Sequence, residues 1–136
     1  MLGIVVVSHG MIGKEMVRIA RSIVTDSLRM AGVALEHDEN VDQMRAKIRQ
    51  AIEEVQQDSG VLLLSDMFGG TPSNLCLSFL EEGKIEVITG MNLPMVIKLA
   101  SLRENRPLSE IASFIRDYGQ KNIALAGEFL KGQKGP

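Results

Sequence analysis

The sequence predicts an α/β fold: a doubly wound, mostly parallel sheet of strand order 2-1-3-4, with helices on both faces and a short C-terminal edge strand. Three observations carry this expectation. Short apolar runs recur as "GIVVVS" (3–8), "AGVALE" (31–36), "GVLLLS" (60–65) and "IEVIT" (85–89). Segments of helical period separate them. The first and third runs are continuously apolar over four residues, as parallel strands covered on both faces are. Alternating β and α elements imply a parallel sheet between helical layers, and right-handed crossovers restrict its topology. The order 2-1-3-4 sets strands 1 and 3 side by side, with their chains leaving to opposite faces. Ligands bind at such a switch point, beyond the carboxyl ends of the strands.

The elements follow in order. After strand 1, Ile12, Met16, Ile19 and Ile23 recur at three-to-four spacing; after strand 2, so do Val41, Met44, Ile48, Ile52 and Val55. Asn40, with Gln43 three residues on, forms a capping-box pattern. Thr71-Pro72 reads as a capping hydroxyl followed by proline at the first helical position. A fourth helix starts near Pro94. A fifth starts near Pro107, runs through Leu108, Ile111, Ile115 and Tyr118, and stops at Gly119. "NIALAG" (122–127) reads as the final strand. The sequence thus predicts a single domain over residues 1–130 and a frayed polar tail, "KGQKGP", over 131–136.

Composition narrows the class. A chain of 136 residues, 45% hydrophobic and 24% charged, is that of one globular domain with a real core. The net charge is −2 and no basic block exists, so nucleic acid is not an expected partner. Cys76 is the only cysteine, which rules out an intrachain disulfide and fits a reducing, cytoplasmic compartment. The N-terminus lacks the basic flank and cleavage site of a signal peptide. No stretch approaches the ~20 apolar residues of a membrane span.

The chemistry gathers at two strand ends. His9 follows strand 1 between Ser8 and Gly10, and Asp66 follows strand 3. The expected order makes them neighbours across the switch-point crevice. A carboxylate beside an imidazole fixes its tautomer, leaving the other ring nitrogen as a nucleophile. Gly69-Gly70-Thr71-Pro72 comes next. Its glycines allow close backbone approach, and a helix start favours an anion; Gly10 plays a similar part before the first helix. Gly10, Gly69, Gly70 and Thr71 are therefore the expected phosphate-binding residues, with His9 as phosphoacceptor and Asp66 orienting it. An N-cap alone also accounts for Thr71. A satisfied structural histidine is the plainer reading of His9 by itself; Asp66 and the glycine loop turn the balance. His37, in "EHDEN", has no well-spaced second ligand and reads as a solvated loop, so neither metal nor cofactor is expected. Cys76, beside Leu75 on an apolar helix face, reads as a buried inert thiol. Asn92 either lines the crevice rim or forms a turn.

These segments resemble the IIA component of the mannose-type (mannose/fructose/sorbose) phosphoenolpyruvate-dependent sugar phosphotransferase system. "IVVVSHG" resembles that family's first strand and phosphorylated histidine, and "GVLLLSDMFGGTPSN" its third strand and following loop. "EVITGMNLPM" (86–95) resembles its fourth strand and loop. The resemblance implies a cytoplasmic phosphotransferase: a phosphocarrier in sugar uptake or its regulation. His9 would take phosphate from phospho-HPr and pass it to a IIB component, with Asp66 orienting the ring and the Thr71 hydroxyl near the phosphoryl group. It implies a homodimer that exchanges a C-terminal edge strand, to which "NIALAG" corresponds. Contact with a membrane would be indirect, through IIC and IID subunits. Met11 and Phe68 fill places where the family carries bulky side chains.

Three rival readings remain distinct. A receiver domain would need acidic residues after strand 1, where this chain has Ser8-His9-Gly10. A phosphocarrier subunit of a dihydroxyacetone kinase would share the histidine but differ in the third-strand loop, and "DMFGGTPSN" favours the sugar-transport family. A regulatory module read by its phosphorylation state would use the same chemistry at His9.

Overall fold

The computed structural model describes residues 1–24, 29–102 and 104–134. Among them, four parallel strands form one sheet in the order β2-β1-β3-β4: β1 (Gly3–His9), β2 (Met30–Leu35), β3 (Val61–Ser65) and β4 (Ile85–Thr89). The helices are α1 (Ile12–Ile23), α2 (Val41–Val55), α3 (Thr71–Leu77), α4 (Leu93–Ser101), α5 (Leu108–Lys121) and α6 (Ala126–Lys134). The α/β class and the strand order are those the sequence predicts.

The sheet divides the core in two. Ile4, Val6, Leu62 and Leu64 face α1, α4 and α5 through Val17, Met95, Val96, Leu99, Ile111 and Ile115. Val5, Val7, Leu63 and Val33 face α2 and α3 through Met44, Ile48, Ile52, Leu75 and Cys76. Successive residues of a strand point to opposite faces, so a strand covered on both sides is apolar at every position. That is why β1 and β3 read as continuous runs. The Asn40 side chain accepts the Gln43 N–H at 2.8 Å and the Gln43 side chain accepts the Asn40 N–H at 2.9 Å, completing the capping box of α2.

The chain departs from the sequence expectation at three places. Gly119 does not end α5, which continues to Lys121. A Cβ there would collide with Sδ and Cγ of Met95, so Gly119 admits α4 against α5 instead of terminating a helix. Thr71 is not the N-cap of α3. Gly70 is, no side chain caps the helix, and Thr71 is its first residue, with Pro72 second. Finally, "NIALAG" is not a strand and no edge strand is added to the sheet. Asn122 closes the end of α5 by bonding Tyr118 O and Gly119 O, and Phe129 N–H already bonds Leu125 O as α6 begins. Only residues 122–125 lie between the two helices. Leu125, Phe129 and Leu130 share a helical spacing, and this competes with the strand reading. Their side chains and that of Ile123 are exposed. The polar segment from residue 131 continues α6 as far as Lys134.

Close backbone approach fixes the α2–sheet junction. A Cβ on Gly3 would overlap the Val55 carbonyl, an atom of the backbone that no rotamer change can remove. Gly3→Ala is therefore expected to lower the unfolding free energy by about 1–3 kcal/mol, as overpacking does, measured by equilibrium urea denaturation.

Candidate functional site

β1 and β3 lie side by side, in register from Gly3↔Val61 to Val7↔Ser65. Past their ends the chain turns to α1 on one face and α3 on the other, so His9 and Asp66 meet at the switch point. One carboxylate oxygen, Asp66 Oδ2, accepts the His9 backbone N–H at 2.9 Å and lies 2.7 Å from His9 Nδ1. An ionised carboxylate only accepts, so Nδ1 carries the hydrogen of this bond. In the neutral ring the lone pair then resides on Nε2. The imidazole is accessible while the carboxylate is sheltered: their side chains are 53% and 14% exposed.

Burial pushes the Asp66 carboxyl up. The His9 backbone N–H, the ring hydrogen bond, the electrostatic pull of the ring and Asp66's own backbone N–H outweigh it and hold the carboxyl below the usual carboxylate range. Its other oxygen, Oδ1, is buried and has no hydrogen-bond partner among the described residues. Below it, burial and then the charge on Asp66 push the Cys76 thiol up to about 12, so it stays protonated and inert.

The glycine loop closes the other side. Gly69 and Gly70 take φ of +87° and +83°, open to glycine and strained for any other residue. A Cβ on Gly70 would stand 3.7 Å from His9 Nε2 and Cε1, so the loop backbone borders the free nitrogen. The Gly69 N–H donates to Ser73 Oγ at 2.9 Å. No partner for the Gly70 or Thr71 N–H is found among the described residues. Thr71 is exposed at the start of α3. Gly10 has a different part. Its φ is +57°, but its N–H donates to Leu35 O at 3.0 Å, so it turns the chain and has no N–H to offer an anion.

Sequence reading overlooked Ser8. Its buried hydroxyl accepts the Gly13 N–H at 2.7 Å and donates to Gly10 O at 3.0 Å, tying the histidine turn to α1. The available signal was a hydroxyl ending an apolar run whose alternation points it inward. Asn92 is not a crevice residue: it caps α4 by accepting the Met95 N–H and donates to Gly119 O. His37 is exposed in a loop. Among the described residues no three His, Cys, Asp or Glu side chains converge as metal ligands, and no helix is long and apolar enough to cross a membrane.

Fold and crevice together define a doubly wound α/β protein that presents a carboxylate-bound imidazole at its switch point. A family model described as "PTS system fructose IIA component" matches residues 3–116, and the chain belongs to that family. It is 26% identical over 132 residues to the PTS system fructose-specific EIIA component of Bacillus subtilis, spanning 96% of this chain and 90% of that protein. It is 23% identical over 124 residues to the PTS system mannose-specific EIIAB component of Escherichia coli, covering 90% of this chain but 38% of that longer protein. The PTS IIA protein associated with the fucose utilization operon of Streptococcus pneumoniae has the same fold, with a TM-score of 0.80 and 26% identity across 95% of this chain and 96% of that one.

The Asp66 contact makes stability depend on acid. Its folded pKa lies below the ordinary value of 3.8, so its contribution is complete above that value and is lost as pH falls through the lower folded one. Wild type is expected to exceed Asp66→Asn in unfolding free energy near neutrality. The gap should narrow below about pH 4, as read by urea unfolding across that range.

Proposed function

We propose that this chain is a phosphocarrier, in which His9 Nε2 accepts a phosphoryl group from phospho-HPr and delivers it to a IIB component. The observation that carries the reading is the single carboxylate oxygen bound to both His9 nitrogens on its inner side, which leaves Nε2 as the one free nucleophilic atom. In the accepting step the Nε2 lone pair forms the new N–P bond. The donor's N–P bond breaks, and its electron pair returns to the donor nitrogen. The Nδ1 proton stays between ring and carboxylate, so Asp66 offsets the positive charge that develops on the imidazole. On this reading the Gly70 and Thr71 N–H groups and the Thr71 hydroxyl are the donors to the phosphoryl oxygens. Gly10 and Gly69 shape the two turns. Delivery to the acceptor reverses the same bonds.

A protein donor also fits the surface. Met11 and Ile12, which follow His9 in the chain, and Met67 and Phe68, which follow Asp66, are exposed, Phe68 by 75%. Exposed apolar side chains flanking both strand ends suit protein partners better than a small solvated substrate. We further propose that the chain acts in the cytoplasm as a homodimer, paired at the outer edge of β4 through the segment from Asn122 onward.

Incubation with phosphoenolpyruvate, enzyme I and HPr is expected to place one acid-labile, base-stable phosphate on His9 and none on His9→Ala. Label surviving that substitution would overturn the assignment. Asp66→Asn is expected to fold but to transfer about 10- to 100-fold more slowly, as for a lost charged partner worth roughly 1–3 kcal/mol. Quench-flow rates near wild type would reduce Asp66 to a turn residue.

Light scattering at micromolar concentration should report a dimer. Deleting the chain from Asn122 should give monomer or insoluble protein with His9 still reactive. A monomeric full-length chain, or a soluble dimer persisting after the deletion, would refute this mode of assembly.

A further inference from the structure

Three fully buried polar side chains interrupt the interior of the described chain: Ser8, Ser65 and Ser73. A buried hydroxyl is costly unless bonded, and each of these bonds the backbone of a turn that borders His9. Ser8 ties the histidine turn, and Ser65 donates to Met67 O at 3.4 Å. Ser73, the third residue of α3, reaches back to accept the Gly69 N–H at 2.9 Å. That is half of a capping box displaced one residue outward, and it caps nothing, because the N-cap is Gly70.

The loop has little else to hold it. Gly69 and Gly70 lack the side chains that would select their conformation, and open space lies where a Cβ of Gly69 would be. Met67 and Phe68 project into solvent. Among the described residues, Ser73 makes the one side-chain hydrogen bond to either glycine. Gly70, the next residue, borders His9 Nε2. We propose that Ser73 is a positioning residue for phosphoryl transfer at His9, its buried hydroxyl fixing Gly69 so that the Gly70–Thr71 backbone stands beside Nε2. This rests on the phosphocarrier reading above. By taking the Gly69 N–H out of use, Ser73 also settles which N–H groups remain for the phosphoryl oxygens. A misplacement of about 1 Å in such a cradle is enough to cost up to roughly 10²-fold in rate.

The test compares wild type, Ser73→Ala, Ser73→Cys (which keeps the volume but accepts poorly) and Leu75→Ala, which removes a core side chain of the same helix without touching the loop. Rapid-quench transfer from phospho-HPr is measured over a range of donor concentrations, and unfolding free energies are measured alongside. Both Ser73 variants are expected to lose about tenfold or more in the maximal rate, with smaller changes in the half-saturating donor concentration. Leu75→Ala, although less stable, should keep a maximal rate near wild type. If Ser73→Ala does not fold, Ser73→Cys decides alone. Ser73 variants that transfer at the wild-type rate, or a loss matched by Leu75→Ala, would overturn the proposal. A wild-type chain that takes no phosphate at His9 would instead overturn the phosphocarrier reading.

Discussion

Asp66 Oδ2 bonds both the backbone N–H and the ring Nδ1 of His9, and the rest of the site depends on that contact. The ring bond alone would fix a tautomer; with the backbone bond as well, the carboxylate moves with the chain that carries the ring. The contact exists because β1 and β3 are neighbours although α1, β2 and α2 separate them in sequence. Their chains leave to opposite faces, α1 into one core layer and α3 into the other. The crevice is therefore open above the two central strands, where the sheet is stiffest and best packed. The apolar rigidity of β1 and β3 is what lets an exposed imidazole hold one orientation.

The parts of this arrangement that were legible in sequence obey strong local rules. Two-sided burial makes β1 and β3 apolar at every position. Amphipathic spacing marks α1 and α2, and Asn40 with Gln43 marks a helix start. The His9–Asp66 pairing followed from strand order, because order alone sets which loops meet. Less legible were features settled by contacts between distant segments. Gly119 looked like a helix stop, but its missing side chain makes room for Met95, which lies in another helix. Thr71 had the chemistry of an N-cap, yet the chain enters α3 through Gly70 with positive φ and leaves the threonine one residue inside. Ser8 and Ser73 look like ordinary small residues until burial makes their hydroxyl groups the fasteners of two turns. Segment 122–127 carries both a strand-like apolar run and a helical stripe continuing to Leu130. Within the single chain the segment turns after Asn122 and enters α6 at Ala126.

The two edges of the sheet are treated differently. On β2, the Arg21 guanidinium and the Lys47 ammonium bond the Met30 and Ala34 carbonyls, covering the outward-facing acceptors with charged side chains. Charged side chains of this kind blunt an edge against further pairing. On β4, the Glu81–Ile85 bridge and the Glu86 carboxylate on the Val87 N–H cover only the first part of the strand. The strand is half-buried throughout and borders a groove of about 490 Å³ that Val87, Thr89, Ser113 and Arg116 help to line. Two cations thus guard one edge, while among the described residues no side-chain hydrogen bond reaches the second half of the other. The less guarded edge is also the one farther from the imidazole in strand order, because β3 stands between β4 and the strand that ends in His9. The β4 edge and the exposed imidazole are therefore separate surfaces of one chain, held apart by the same strand order that brings His9 and Asp66 together.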